Sequence, residues 1–254
     1  MPARQPEGPP PPPTVQRLRI RYAKRGRLRF SSHRDFQRAL ERALRRSAVP
    51  MAYSAGFSPH PKISFAGAAP TGTASEAEYV EIGVAERCDP ELVRAALDRS
   101  LPPGLDVLEV VEAGPGALAE RLEVSHWRVR LPGVEASRGE YAVTALLAAE
   151  TVTVDRLMKD GVRKLDARAP IVAARVAADD QDGCAILDLV VRHVTPAVRP
   201  DDVVTALRVV ADLAPAAPPE ATRLAQGPLQ PDGTVGDPLD PDRAAVGATA
   251  PGPV

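Results

Sequence analysis

Cysteines, aromatic rings and long apolar runs are all scarce in this chain, and each scarcity removes a class of protein. Only Cys88 and Cys184 occur. Two cysteines build neither a disulfide framework nor a zinc or iron–sulfur cage. A reducing cytoplasm is therefore the expected compartment, with no metal site. No apolar stretch approaches the roughly 18 residues of a membrane span. The opening "MPARQPEGPPPPPT" has no apolar segment after its arginine, so a secretory signal is not expected. Walker, GxSxG and HExxH motifs are missing. His126, Trp127 and His193 start or end predicted strands and read as packing or edge residues.

Acidic residues are nearly missing from one region. Between Arg17 and Lys62 there are 13 Lys and Arg but only two acids, Asp35 and Glu41. The remainder is acidic, and the whole carries a net charge of −1. A concentrated basic region on an otherwise acidic protein is what a polyanion site requires.

Residues 1–14 hold seven prolines and read as a disordered tail. Residues 228–254 are rich in Pro, Gly and Asp, lack periodicity, and read the same way. Between them, "RLRIRY" (17–22) alternates as a half-buried strand, and "RLRF" (27–30) is expected to continue extended. From Ser32 the period becomes helical, with Phe36, Ala39, Leu40, Ala43 and Leu44 on one face. Ser32 and Asp35 have capping-box spacing, and Pro50 stops extension past Val49. Strands at 62–68 and 77–85, a helix at 89–101 with Pro90 at its first position, and a strand at 105–113 follow. The order is β-α-β-β-α-β. The second half repeats it: strand 126–134, helix 137–151, strands 170–178 and 184–194 joined by "DDQDG", helix 199–213 and strand 221–227. The expectation is an α+β protein of two tandem ferredoxin-like (βαββαβ) domains, at 15–113 and 122–227. Each half has a long basic link after its first helix, 50–61 and 152–169, and links of this length are commonly functional.

The first link contains "YSAGFSPHPKISF" (53–65), which gathers Tyr53, Phe57, His60, Lys62 and Phe65 in a chain with 4% aromatics. Pro59 and Pro61 restrict the backbone of His60 and deny it regular partners. Its imidazole suits anion binding or proton transfer. His33 stands at a helix N-terminus, where free N–H groups meet anions. Phe65, in a strand, is expected in the core; Tyr53 and Phe57 are candidates for stacking a base. Arg17, Arg19 and Arg21 would track phosphates across a free sheet face, as in RNA-recognition modules.

The segment 31–82 also carries the motif elements Ser32-His33 with Asp35, "PxxYSxGFSPHPKISF" from Pro50, "PTG" at 70–72, and Glu78 before Tyr79. "KLDARAPI" (164–171) and "VRPDDVV" (198–204) extend the pattern. The chain resembles the bacterial radical-SAM-associated domain of unknown function, found fused behind cobalamin-binding radical SAM proteins or as a separate protein. It departs from that pattern at Arg34, where leucine is expected. The resemblance implies association with a radical SAM system. The chain has no CxxxCxxC triplet, so it is expected to bind no cofactor itself; any radical SAM cluster would sit in a partner chain. Members resemble neighbours of ribonuclease E/G and ribosomal-protein loci, which points to RNA.

The expected function is an accessory RNA-binding protein, for tRNA or rRNA, acting with a separate radical SAM or RNA-processing enzyme such as a ribonuclease. Its binding residues would be Arg17, Arg19, Arg21, Ser32, His33, Arg38, Arg42, Arg45, Tyr53, Phe57, His60 and Lys62, joined by Lys164 and Arg168 of the second link. Two alternatives stand beside it. One is a metal-independent endoribonuclease using His33 or His60. The other is a protein-interaction subunit docking on a radical SAM enzyme.

Overall fold

Alternation in β1 (Gln16–Lys24) sets the layering of the N-terminal half. Leu18, Ile20 and Tyr22 point toward α1 (His33–Arg46), where the Tyr22 ring stacks on Phe36 at 4.1 Å. The computed structural model describes residues 11–158, 161–178 and 184–248. The fold class is α+β, and the chain divides into two compact units. Unit 1 is 1–120 with 238–254; unit 2 is 121–237.

In unit 1, β2 (Ile63–Ala66), β3 (Ala74–Val84), α2 (Pro90–Ser100) and β4 (Leu105–Glu112) follow α1. The strands lie in the order β4-β1-β3-β2, every neighbour antiparallel. Leu18 pairs with Ile82 and Ile20 with Val80, and these side chains join Phe36, Leu40, Leu44, Val93 and Leu97 in one core under the two helices. Burial of these side chains supplies the main driving force. The 27–30 segment is not extended: Gly26–Phe30 forms a short 3-10 turn, with Gly26 at φ +53° starting it.

Both helix starts follow the rules of their local sequence. Asp89 caps α2, accepting from the N–H of Glu91 and Leu92, with Pro90 at the first position. Ser32 and Asp35 form a reciprocal capping box. The hydroxyl and backbone N–H of Ser32 hold the Asp35 carboxyl below its usual range. Ser32→Ala is expected to destabilise unit 1 by about 1 kcal/mol in a urea titration.

The expected tail from residue 228 is corrected by the structure. Leu229 and Val235 bridge across a turn, and α5 (Asp240–Ala248) packs on β4. Leu239 and Asp242 are fully buried. What held this segment was long-range ion pairing, which composition does not reveal. Residues 1–10 of the other expected tail, and 249–254, lie outside the described residues.

Unit 2 contains β5 (Val124–Glu135), α3 (Ala136–Ala148), β6 (Thr153–Met158), β7 (Gly161–Asp166), β8 (Ile171–Ala178), β9 (Cys184–Arg192), α4 (Pro200–Ala211) and β10 (Glu220–Gly227). Its main sheet runs β10-β5-β9-β8, again antiparallel throughout. The 152–169 link is not an open loop: β6 and β7 pair as a hairpin in full register from Thr153/Asp166 to Met158/Gly161. The "DDQDG" turn at 179–183 lies outside the described residues.

His193 packs as expected. Its Nδ1 donates to the Leu122 carbonyl at 2.7 Å, so Nε2 accepts from the Ser125 hydroxyl, also at 2.7 Å. Burial pushes its pKa down, and the nearby Arg223 adds to this against the Leu122 hydrogen bond. The unfolded chain therefore holds more protons than the folded one between the folded pKa and about 6.5. Stability of unit 2 is expected to fall as pH drops from 7 through that window. His193→Gln should flatten the fall in denaturation midpoints measured between pH 7 and 5.

Candidate nucleic-acid interface

The cations of the basic region divide between the two faces of the unit 1 sheet. Leu18, Ile20 and Tyr22 occupy the helix side, so Arg17, Arg19 and Arg21 must point away from it. On that far side Arg19 is fully buried. Its Nε donates to Glu81 at 2.9 Å, Nη1 to Asp242 at 2.6 Å and Nη2 to the Gly116 carbonyl at 2.5 Å. Arg17 pairs with Glu81 at 3.2 Å, and Arg21 donates to the Glu76 carbonyl at 3.0 Å. This corrects the expectation that Arg19 tracks phosphates on a free sheet: it is fully buried, whereas Arg17 and Arg21 keep some exposure beside Glu81 and the Glu76 carbonyl. Over Arg19 the face is covered by α5, which brings Asp242, while Glu81 and the Glu76 carbonyl come from β3.

The helix-side arginines have a different setting. Arg34, Arg38, Arg42 and Arg45 recur at three- and four-residue spacing on the outer face of α1, all exposed. Their opposite face buries Phe36, Leu40, Ala43 and Leu44. None of these four arginines forms an ion pair among the described residues. Arg42 and Arg46 also line a recess of about 260 Å³ between α1 and α2, together with Arg99 and Ser100.

The aromatic loop is closed by its own backbone. Tyr53 bridges Pro61, Ser54 N–H donates to the His60 carbonyl at 2.9 Å, and His60 N–H donates to Ser54 Oγ at 3.0 Å. The base of the loop is fixed where Lys62 N–H donates to Ala52 O and Ala52 N–H to Gly83 O, each at 2.8 Å. The tip, 55–59, is entirely exposed, and Phe57 is 67% exposed at its centre. Gly56 takes φ +130° there, which only glycine adopts readily. His60 and Tyr53 are exposed, and Lys62 Nζ donates to Thr14 Oγ1 at 2.8 Å. Phe65, by contrast, packs against the core as expected.

His33 is exposed and sets its ring edge-on to Phe65, 4.5 Å between centroids. Phe65 lies toward the end of β2, whereas His60 lies in the loop before that strand. The two histidines therefore sit at opposite ends of β2, a poor arrangement for paired acid and base. The hydroxyl and N–H of Ser32 both go to Asp35, so the cap already uses the groups that an anion would meet.

Lys164 and Arg168 of the second link have structural partners. Lys164 forms a surface ion pair with Asp155 at 2.9 Å. Arg168 donates to the carbonyls of Ile171 and Leu147. Arg156 of β6, not singled out from sequence, pairs with Asp202 at the start of α4 and anchors the hairpin. Beside its charged residues the hairpin also exposes apolar ones, Leu157 at 82% and Val162 at 65%.

Among the described residues, no group of three or more His, Cys, Asp or Glu is placed to hold a metal ion. None of the described helices is long and apolar enough to cross a membrane.

No curated protein matches the chain in sequence. Among solved structures, the first two RRM domains of a yeast poly(U)-binding protein align at 10% identity, over 82% of this chain and 98% of that one, with a TM-score of 0.22. The encapsulated DyP-type peroxidase of Mycobacterium smegmatis aligns at 10% identity, over 89% and 94%, with a TM-score of 0.19. Likenesses at these scores carry no argument about fold or function. A family model does match, over residues 17–200, and the chain therefore belongs to the family described as an uncharacterized protein conserved in bacteria (DUF2344).

Proposed function

We propose that this protein is an accessory RNA-binding protein, built from two ferredoxin-like domains, that presents tRNA or rRNA to a separate enzyme. The observation carrying this reading is the row of exposed arginines on α1, Arg34, Arg38, Arg42 and Arg45, none of them in a direct ion pair among the described residues, although the charge of Arg38 is felt by Asp35. Elsewhere in unit 1 acids engage Arg17, Arg19, Arg25, Arg87 and Arg94 in ion pairs. A row of exposed guanidiniums outside direct ion pairs is the electrostatic footprint of phosphate binding. Tyr53 and Phe57 on the exposed loop would add base stacking, and His60 and Lys62 local contacts. The resemblance to the radical-SAM-associated domain makes a radical SAM enzyme the favoured partner, with a ribonuclease as the alternative.

Filter binding of the full chain to bulk tRNA between 50 and 300 mM salt tests the proposal. Four phosphate contacts predict a log–log salt slope of about −3. No retention at 50 mM salt would remove it. The exposed apolar hairpin tip, Leu157 and Val162, would then favour the protein-docking reading.

A further inference from the structure

At its C-terminal end the arginine face of α1 runs into the recess shared with α2. Arg42 and Arg46 stand one turn apart on α1, and Arg99 joins them from the last turn of α2. Ala39, Leu101 and Pro102 give the recess apolar walls. Its volume of about 260 Å³ lies just below the roughly 300–1,000 Å³ of clefts that enclose a whole small ligand. It suits a single charged group more than a complete cofactor.

The charge around it is of one sign. Among the described residues its lining holds three guanidiniums and no carboxylate. None of the three forms an ion pair among the described residues. The one hydrogen bond they make there runs from Arg46 Nη1 to the Ser100 carbonyl, at 3.3 Å. A guanidinium has five N–H donors, so most of theirs stay available. The acids next to them in sequence have other partners. Glu41 accepts from Gln37 Nε2 at 3.0 Å, and Asp98 accepts from Val107 N–H at 2.8 Å. The negative end of α2 is also met within the protein. The Ala96 carbonyl accepts from the Ser47 hydroxyl at 3.0 Å, Leu97 O from Leu101 N–H at 2.9 Å, and Ser100 O from Arg46. Three like charges around one recess repel one another, and a bound anion relieves that repulsion.

We infer that this recess seats a phosphate monoester, carried by the end of a nucleic-acid strand or by a free mononucleotide. Guanidinium forks match phosphate oxygens in pairs. A monoester carries a charge of about −1.5 to −2 near pH 7, more than the single charge of an internal phosphodiester. It also ends its chain, so it can enter a recess, whereas an internal phosphate is flanked by sugars on both sides and must lie across the surface. The α1 row would then hold the backbone that leads to the seated end. That the strand is RNA rests on the function proposed above; the recess as a phosphate seat does not.

Fluorescence anisotropy of the full chain with a labelled RNA dodecamer, at about 100 mM salt, is the test. One pair of probes carries a phosphate or a hydroxyl at the 5′ end, and a second pair does so at the 3′ end. One phosphorylated end is expected to bind at least tenfold tighter than its hydroxyl counterpart. Arg99→Gln should erase that ratio; the side chain is exposed and outside any ion pair, so the variant should fold. Arg34→Gln, about 18 Å along the helix from Arg46, should weaken both members of the pair and keep their ratio. Calorimetric titration with AMP and adenosine separates the two sources. If no strand binds, but AMP binds tighter than adenosine and loses that advantage in Arg99→Gln, the RNA reading fails and the recess stands as a mononucleotide seat. Equal affinity for phosphorylated and hydroxyl ends overturns the proposal, as does a preference that survives Arg99→Gln. Where no strand binds, the lack of AMP binding at millimolar concentration overturns it too.

Discussion

Replacing Asp242 by alanine is expected to cost unit 1 about 3 kcal/mol, because it removes one of two carboxylates from a buried guanidinium and leaves Glu81 shared between Arg19 and Arg17. Arg19 and Asp242 are both fully buried, 2.6 Å apart. Asp242 also accepts from Gly114 N–H at 2.8 Å, and its neighbour Arg243 donates twice to Glu109 at 2.6 Å. Burial by itself would lower the Arg19 pKa; Asp242 and Glu81 outweigh it, and the net shift is upward. The charge therefore stays on, and its partner cannot be removed without penalty. Urea unfolding should show the loss directly. The double variant Arg19→Met with Asp242→Leu should recover much of it, because apolar replacement of a buried pair removes both desolvation costs. A midpoint for Asp242→Ala no lower than that of Arg17→Ala, whose side chain is half exposed, would show that the clamp contributes little.

The second large effect concerns affinity rather than stability. Arg38→Glu, Arg42→Glu and Arg45→Glu combined should weaken tRNA binding by at least ~100-fold at 100 mM salt and flatten the salt slope by two to three units. The fold should be unaffected, since the three side chains are exposed and glutamate suits a helix about as well as arginine. Lys164→Glu is the control: its charge already pairs with Asp155, so the affinity should change far less. Equal losses in the triple variant and the control would place the RNA elsewhere or nowhere.

How far the sequence reveals this protein depends on the range of the interactions involved. The capping box of Ser32 and Asp35 spans three residues and is legible on sight. The amphipathic period of α1 is equally local, and it separates the arginine face from the Leu40 face before any coordinates are known. The β6–β7 hairpin also has a local sequence signal, an Asp-Gly pair flanked by alternating residues. The fate of Arg19 was not legible. A strand with alternating arginines reads as half exposed, and the acid that buries this one lies 223 positions away. The same limit applies to a polar contact in unit 2. His126 and Asp188 are 62 residues apart, and only the register of β5 against β9 makes them neighbours.

The closing helix of unit 1 also has a bearing on biosynthesis. The polypeptide leaves unit 1 at residue 120 and rejoins it at 238. Translation must therefore emit all of unit 2 before Asp242, the second acid of the Arg19 cluster, emerges from the ribosome. Until then Arg19 has only Glu81, which it shares with Arg17, and a prematurely terminated product lacking α5 would keep that shortfall permanently.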